Sequence, residues 1–219
     1  MASEKQTSLK PFRFLDLAPE LRHKIYTMII TSPHSHIDLS STYDSPHTHF
    51  PHALLLTCTQ IYHELRPLYF ATNAFSITIL RRNESWSHLL TPSFLDNRRQ
   101  IRSLRILIAR WGTKDFFCRS LIPALEDCIL NGRLRELEVA IRDLGACRAF
   151  QHDSRGEHEN WGQLKRVLRD PYLEKATLKA GNFIIVSNEG EGQSWGLDKW
   201  TDISSLLDNA EDETLIKVV

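Results

Sequence analysis

Two spacings of apolar residues divide this chain. Leu21, Ile25, Met28 and Ile29 recur at i, i+4, i+7 and i+8, the interval of one helical face. Pro19 opens that helix at a position where a missing N–H costs nothing, and Thr31-Ser32-Pro33 ends it. The stripe predicts the face turned to the core. A second helix is expected from near Pro51, with Leu54, Cys58, Ile61 and Leu65 on one side and Pro67 interrupting or kinking it. Between the two, residues 33–51 are rich in His, Ser, Thr and Pro and carry no period, so they read as loop. Residues 1–11 are polar and read as a disordered tail. From Phe75 to Leu80 the period changes to two, that of a half-buried strand.

Beyond residue 100 one pattern returns three times. IRSLRI (101–106), LRELEV (134–139) and LEKATL (173–178) share apolar-x-x-apolar-x-apolar, with starts 33 and 39 residues apart. Helix-like stretches lie between them, from about Asp115 to Leu130 and from about Trp161 to Leu168. Strand, helix, strand at this spacing predicts parallel strands joined by right-handed crossovers. The pattern is that of leucine-rich repeats at a longer, more irregular period than usual. Ala180-Gly181-Asn182-Phe183 reads as a tight turn into an antiparallel strand, residues 183–187, and Leu197 to Asn209 as a closing amphipathic helix. In register, Leu104, Ile106 and Ile108, then Leu137, Val139 and Ile141, then Ala176, Leu178 and Ala180 share the side facing the helices. The other side sets Arg105 against Glu138 and Glu136 against Lys175, with Lys179 beside them, favourable cross-strand pairs that support the register. That open polar face is the candidate recognition surface.

Glu20-Leu21-Arg22 and Glu64-Leu65-Arg66 occupy matching places on the two helices. Within one helix, residues at i and i+2 point apart. Across helices, Glu20 is expected to meet Arg66 and Glu64 to meet Arg22, as a structural clamp.

These same residues carry a resemblance. Phe14-Leu15-Asp16-Leu17-x-Pro19-Glu20-Leu21-Arg22-x-x-Ile25-Tyr26 and Leu56-x-Cys58-x-Gln60-Ile61-Tyr62-x-Glu64-x-Arg66-Pro67, with Asn73-x-Phe75 and Ile101-Arg102-Ser103-Leu104-Arg105-Ile106, resemble the fungal F-box-like family with two E-x-R motifs. The likeness covers residues 12–80 well and 95–110 more loosely. It implies a helical unit that docks on the Skp1 adaptor of a cullin–RING ubiquitin ligase, and a C-terminal domain that holds the substrate. On that reading Leu17, Leu21 and Ile25 belong in part to a surface facing Skp1. The expected architecture is α/β: F-box-like helices over 12–80, then an irregular leucine-rich-repeat-like sheet with crossover helices over 81–219, packed on them as one unit.

Composition narrows the function. With 27 basic and 27 acidic side chains the net charge is zero, so no global field favours nucleic acid or an anionic membrane. From Asn188 onward eight acids face two bases, a net of −6, so the acidic end is the alternative occupant of the polar sheet face. Arg98, Arg99, Arg102, Arg105 and Arg110 form a basic run without the interleaved aromatics of a nucleic-acid module; a solvated face or a dock for the acidic end is expected. His34, His36, His47, His49 and His52 lack Cys or acidic partners at zinc spacing, so no metal is expected. Cys58, Cys118, Cys128 and Cys147 form no CxxC pair and read as reduced thiols in a cytoplasmic or nuclear protein. No Gly-rich phosphate loop or GxSxG elbow occurs. The expectation is a non-enzymatic protein-interaction module without cofactor, monomeric when free. The alternative is a structural or binding protein with no ubiquitin connection, its helices merely capping the sheet.

Overall fold

The computed structural model describes residues 12–33, 36–39, 50–79, 95–109, 117–142, 155–181 and 200–208. The expected N-terminal tail, the strand at 183–187, Arg110, Cys147, and His34, His47 and His49 lie outside them.

A 3-10 turn over Phe14–Asp16 leads into helix α1, Pro19–Ile30, with Pro19 in the first turn as expected. Its buried residues are Arg22, Tyr26 and Ile30, one helical row, whereas Met28 is 83% exposed, Ile29 54% and Leu21 49%. The apolar stripe therefore faces outward, with Ile25 half-buried at its edge, and the expected core face is the wrong one. The reason is the partner: α1 packs against a helix that offers a carboxylate, so its buried row holds an arginine.

That partner is not one continuous helix. A short turn, α2 (His52–Leu55), is followed by a break and then by α3, Thr59–Thr72. Cys58 is extended at the break, and the Thr57 hydroxyl and N–H both bond the Leu54 carbonyl, a local alternative to helix that threonine offers readily. Pro67 sits inside α3 without ending it. Burial of Leu65, Tyr69 and Phe70 outweighs the roughly 3 kcal/mol an interior proline costs.

The strands are β1 (Ile37–Asp38), β2 (Ala74–Ile79), β3 (Ser103–Ile108), β4 (Glu136–Ile141), β5 (Lys175–Gly181) and β6 (Trp200–Asp202). They form one six-stranded sheet in sequence order, parallel throughout except that β6 runs antiparallel to β5. The crossovers hold α4 (Leu95–Gln100), a π-type turn (Phe117–Leu121) running into α5 (Ile122–Leu130), and α6 (Arg155–Leu168). A final turn, α7, covers only Ser205–Asp208. The longer closing helix expected there gives way to β6 because Trp200 and Thr201 suit a strand. Asp202 then turns the chain by accepting from the Ser204 N–H and hydroxyl.

Along the sheet, α1, α3, α4, α5 and α6 each pack against the next. Their buried side chains and the inward strand residues make one continuous core. Phe75, Ile77 and Ile79, Leu104, Ile106 and Ile108, Leu137, Val139 and Ile141, and Leu178 and Ala180 all point into it; Ala176 is half-buried. Among the described residues, the helices thus pack on one face of the sheet. This is a mixed α/β fold.

Two positions tie the framework together, one polar and one a glycine. Asn73 is buried between the end of α3 and the start of β2. Its amide donates to the Ile30 and Tyr69 carbonyls, and its oxygen accepts from Ser32 N–H at 2.9 Å. Gly132, after α5, lies so close to its neighbours that a Cβ would stand 2.4 Å from the Cys128 carbonyl oxygen and 2.9 Å from that of Arg99, so only glycine fits there.

Candidate functional site

Three groups of side chains qualify as functional candidates: the helix clasp, the outward face of α1, and the polar sheet face.

The clasp joins the two Glu-x-Arg motifs on one diagonal only. Arg22 grips Glu64 with both arms of its fork, Nε to Oε2 at 3.0 Å and a terminal nitrogen to Oε1 at 2.6 Å, the bidentate geometry that makes arginine–carboxylate pairs strong. Tyr26 and Gln60 also donate to Glu64, at 3.1 and 3.0 Å. Arg22, foremost among these, holds the Glu64 carboxyl down to about 2. Burial and the bond to Glu64 push the Tyr26 hydroxyl up to about 12. The remaining arm of Arg22 donates to the Leu15 and Leu17 carbonyls at 3.2 and 2.5 Å, and the Phe14 ring lies 5.5 Å from that of Tyr26.

The expected second pair, Glu20 with Arg66, does not form. Glu20 is exposed, while Arg66 donates to Asn97 of α4 at 2.6 Å and lies over the Tyr62 ring. The motifs match in sequence but not in surroundings. Glu20 sits in the first turn of α1 beside solvent, and Arg66 sits where α4 crosses α3.

One arginine therefore fixes both helix α1 and the segment before it, and so sets the surface they present. Leu21, Met28 and Ile29 are exposed there, with Leu15 at 38% and Phe12 at 75%; Leu17 and Ile25 are half-buried. All three residues assigned to a Skp1-facing surface lie in this stretch.

On the polar sheet face the expected register holds throughout: Arg105 opposes Glu138, and Glu136 opposes Lys175. Glu138 accepts from Lys179 at 2.7 Å and stands 2.8 Å from Arg105 Nε, so one carboxylate bridges three strands. Glu136 and Lys175 face each other across neighbouring strands, with no ion pair among the described contacts. The face is not open as expected. Trp200 lies 5.7 Å over the Arg105 guanidinium, a cation–π contact. His36 adjoins the same charges, and burial first, then Arg105, lowers its pKa. Asp202 stands opposite Lys179 in register. Trp200, from the C-terminal acidic segment, thus lies against this face, while Asp202 extends the sheet at its edge.

The described part of the basic run is paired within the fold. Arg98 and Arg99 both clasp Asp127 of α5, at 2.8 and 2.6 Å, and with Asn131 they hold its carboxyl far below the usual carboxylate range. Arg102 pairs with Glu174 at 3.0 Å. Arg98, Arg99 and Arg102 are thus paired within the fold rather than lying as a solvated face, and Arg105 meets Glu138 and the Trp200 ring. Sequence reasoning missed Asp127 because its partners lie 28 and 29 residues away.

Burial pushes the Cys128 thiol up to about 12, the wrong direction for a nucleophile. No group of three or more potential metal ligands occurs among the described residues, and no described helix is long and apolar enough to cross a membrane. No protein-family model matches the chain, and no curated protein and no solved structure matches it.

Proposed function

We propose that this chain is a non-enzymatic protein-interaction module whose N-terminal helical unit docks on a protein partner through the outward face of α1. The observation that carries this reading is the inverted helix: Leu21, Met28 and Ile29 lie exposed in one stripe while Arg22 is buried. An exposed apolar patch of that kind marks an interaction surface more often than chance exposure does. The resemblance to F-box-like proteins names the partner class, the Skp1 adaptor. On this reading the sheet, with its repeated strand–helix units in sequence order, is the leucine-rich-repeat-like part that receives a substrate for a Skp1–cullin–F-box ubiquitin ligase.

The experiment is capture of purified Skp1 by the full chain and by a Leu21→Glu/Met28→Glu double variant. Micromolar binding by the natural chain, lost in the folded variant, is the expected result. A folded monomer that captures no Skp1 favours the second reading, a binding protein with no ubiquitin connection whose helices cap the sheet. That reading draws on the single continuous core shared by helices and strands.

A further inference from the structure

A groove runs over the helical layer where α3, α4 and the turn after α5 meet. One half is a cavity of about 500 Å³ whose charged lining is Arg66, Arg99 and Arg133 against Asp96 alone. The other half, about 180 Å³, is lined by Tyr62, His63 and Pro67 and shares Arg66 and Gln100 with the first.

The cationic half is built rather than incidental. Arg66 is held by Asn97 at 2.6 Å and laid on the Tyr62 ring. Arg99 is held by Asp127 at 2.6 Å. Arg133 is anchored by its backbone, which donates to the Arg99 carbonyl at 2.8 Å, and the glycine before it is the one whose Cβ would collide with that same carbonyl. The Arg133 guanidinium is exposed and has no ion-pair partner among the described residues. Asp127, which also takes Arg98, and Asp96 leave the cluster with two positive charges in excess.

We propose that this groove binds an acidic peptide segment, its carboxylate or phosphate on Arg66, Arg99 and Arg133 and a neighbouring apolar side chain against Tyr62 and Pro67. The Arg133 fork can take such an anion in bidentate geometry, with Arg66 and Arg99 offering their remaining N–H groups. The groove favours a peptide over a free anion, because Gln100 joins the cationic half to the Tyr62–Pro67 half and an anion alone leaves that second half unused. The zero net charge of the chain and the short extent of the cluster argue against a nucleic-acid backbone. The site is independent of the α1 face, and its failure leaves the docking reading untouched.

The test is an amide NMR titration of the full chain with acetyl-Leu-Glu-Glu-Leu-amide, its phosphoserine analogue, the neutral acetyl-Leu-Gln-Gln-Leu-amide and inorganic phosphate. Saturable shifts at Tyr62, Arg66, Gln100 and Arg133 are expected for the two acidic peptides, with Kd at or below about 1 mM, and at least about tenfold weaker binding of the neutral one. The stronger of the acidic pair distinguishes phosphate from carboxylate. Arg133→Ala is expected to weaken the acidic peptides about tenfold and leave the neutral one unchanged. Equal binding of acidic and neutral peptides, inorganic phosphate binding as tightly as the peptides, an unaffected Arg133→Ala variant, or no saturable shift with any probe each overturns the proposal.

Discussion

The helix pair α1–α3 and the strands β3–β5 solve the same burial problem in opposite ways. In the strands, the inward positions of β3 and β4 are all apolar and charges stay on the other face. In α1 an arginine is inside, 6% exposed, and a methionine is outside, 83% exposed. A strand alternates between two faces, so its apolar set settles which one is buried. A helix has a continuous circumference, and what it meets decides. Here it meets Glu64, whose charge is better paired by Arg22 than left against apolar side chains. Apolar spacing identifies the buried face only where no ion pair takes the place of packing.

The sharpest way to break that contrast uses two apolar residues of opposite fate. Ile106, fully buried in β3, is expected to cost about 3–4 kcal/mol when cut to alanine, through lost transfer energy and the cavity left behind. Met28→Ala is expected to stay within about 0.5 kcal/mol, as surface changes do. Urea unfolding of both variants measures this. A Met28→Ala cost close to that of Ile106→Ala would mean that the α1 stripe is packed away in solution, and the inverted-helix reading would fail.

Next in size is the clasp itself. Glu64→Ala is expected to cost about 2–3 kcal/mol, below the range of a wholly buried pair because Glu64 keeps some solvent contact. Combined with Arg22→Ala, the losses are expected to be strongly non-additive, and a double-mutant cycle with no coupling energy would remove the pair as a stabilising unit. The clasp also sets an acid limit. The folded pKa of Glu64, about 2, lies below its ordinary value of 4.5. Its contribution is therefore complete above about pH 4.5 and is lost as pH falls from there toward 2. In Glu64→Gln the stability deficit is expected to be full at neutral pH and to close across that window. A deficit constant from pH 6 to 2.5 would assign the loss to packing instead of charge.

How much of this was legible follows the same line. The three repeat strands, their register and the Arg105–Glu138 meeting were readable because period-two alternation and a recurring apolar-x-x-apolar-x-apolar run leave one arrangement. The Arg22–Glu64 half of the clamp was readable from matched motifs, but the orientation of the helix carrying it was not. The site of Arg66 was not readable because its partner, Asn97, arrives from a crossover helix that no motif links to it. Trp200 and His36 lie on the polar sheet face from chain segments with no periodicity, and the break before α3 turns on a local threonine hydrogen bond rather than on apolar spacing.

The smallest loss expected from breaking an ion pair tests whether the polar sheet face is held together by its charges at all. Glu138 is the shared partner of Arg105 and Lys179, so Glu138→Gln removes both ion pairs while keeping shape. Cross-strand charge pairs contribute only about 0.2–1 kcal/mol each, and part of that returns when the freed cations hydrate. The expected loss is therefore about 1 kcal/mol, less than half that of the clasp. It is also expected to shrink as salt rises from low ionic strength to about 0.5 M, where screening acts within a few ångströms. The clasp, with Arg22 buried, is expected to keep its cost under the same salt. If Glu138→Gln costs as much as Glu64→Ala, or is equally indifferent to salt, then His36 and Trp200 shield this face as fully as the helix interface shields Arg22. The polar face would then be a second interior, and a partner would have to displace Trp200 to reach it.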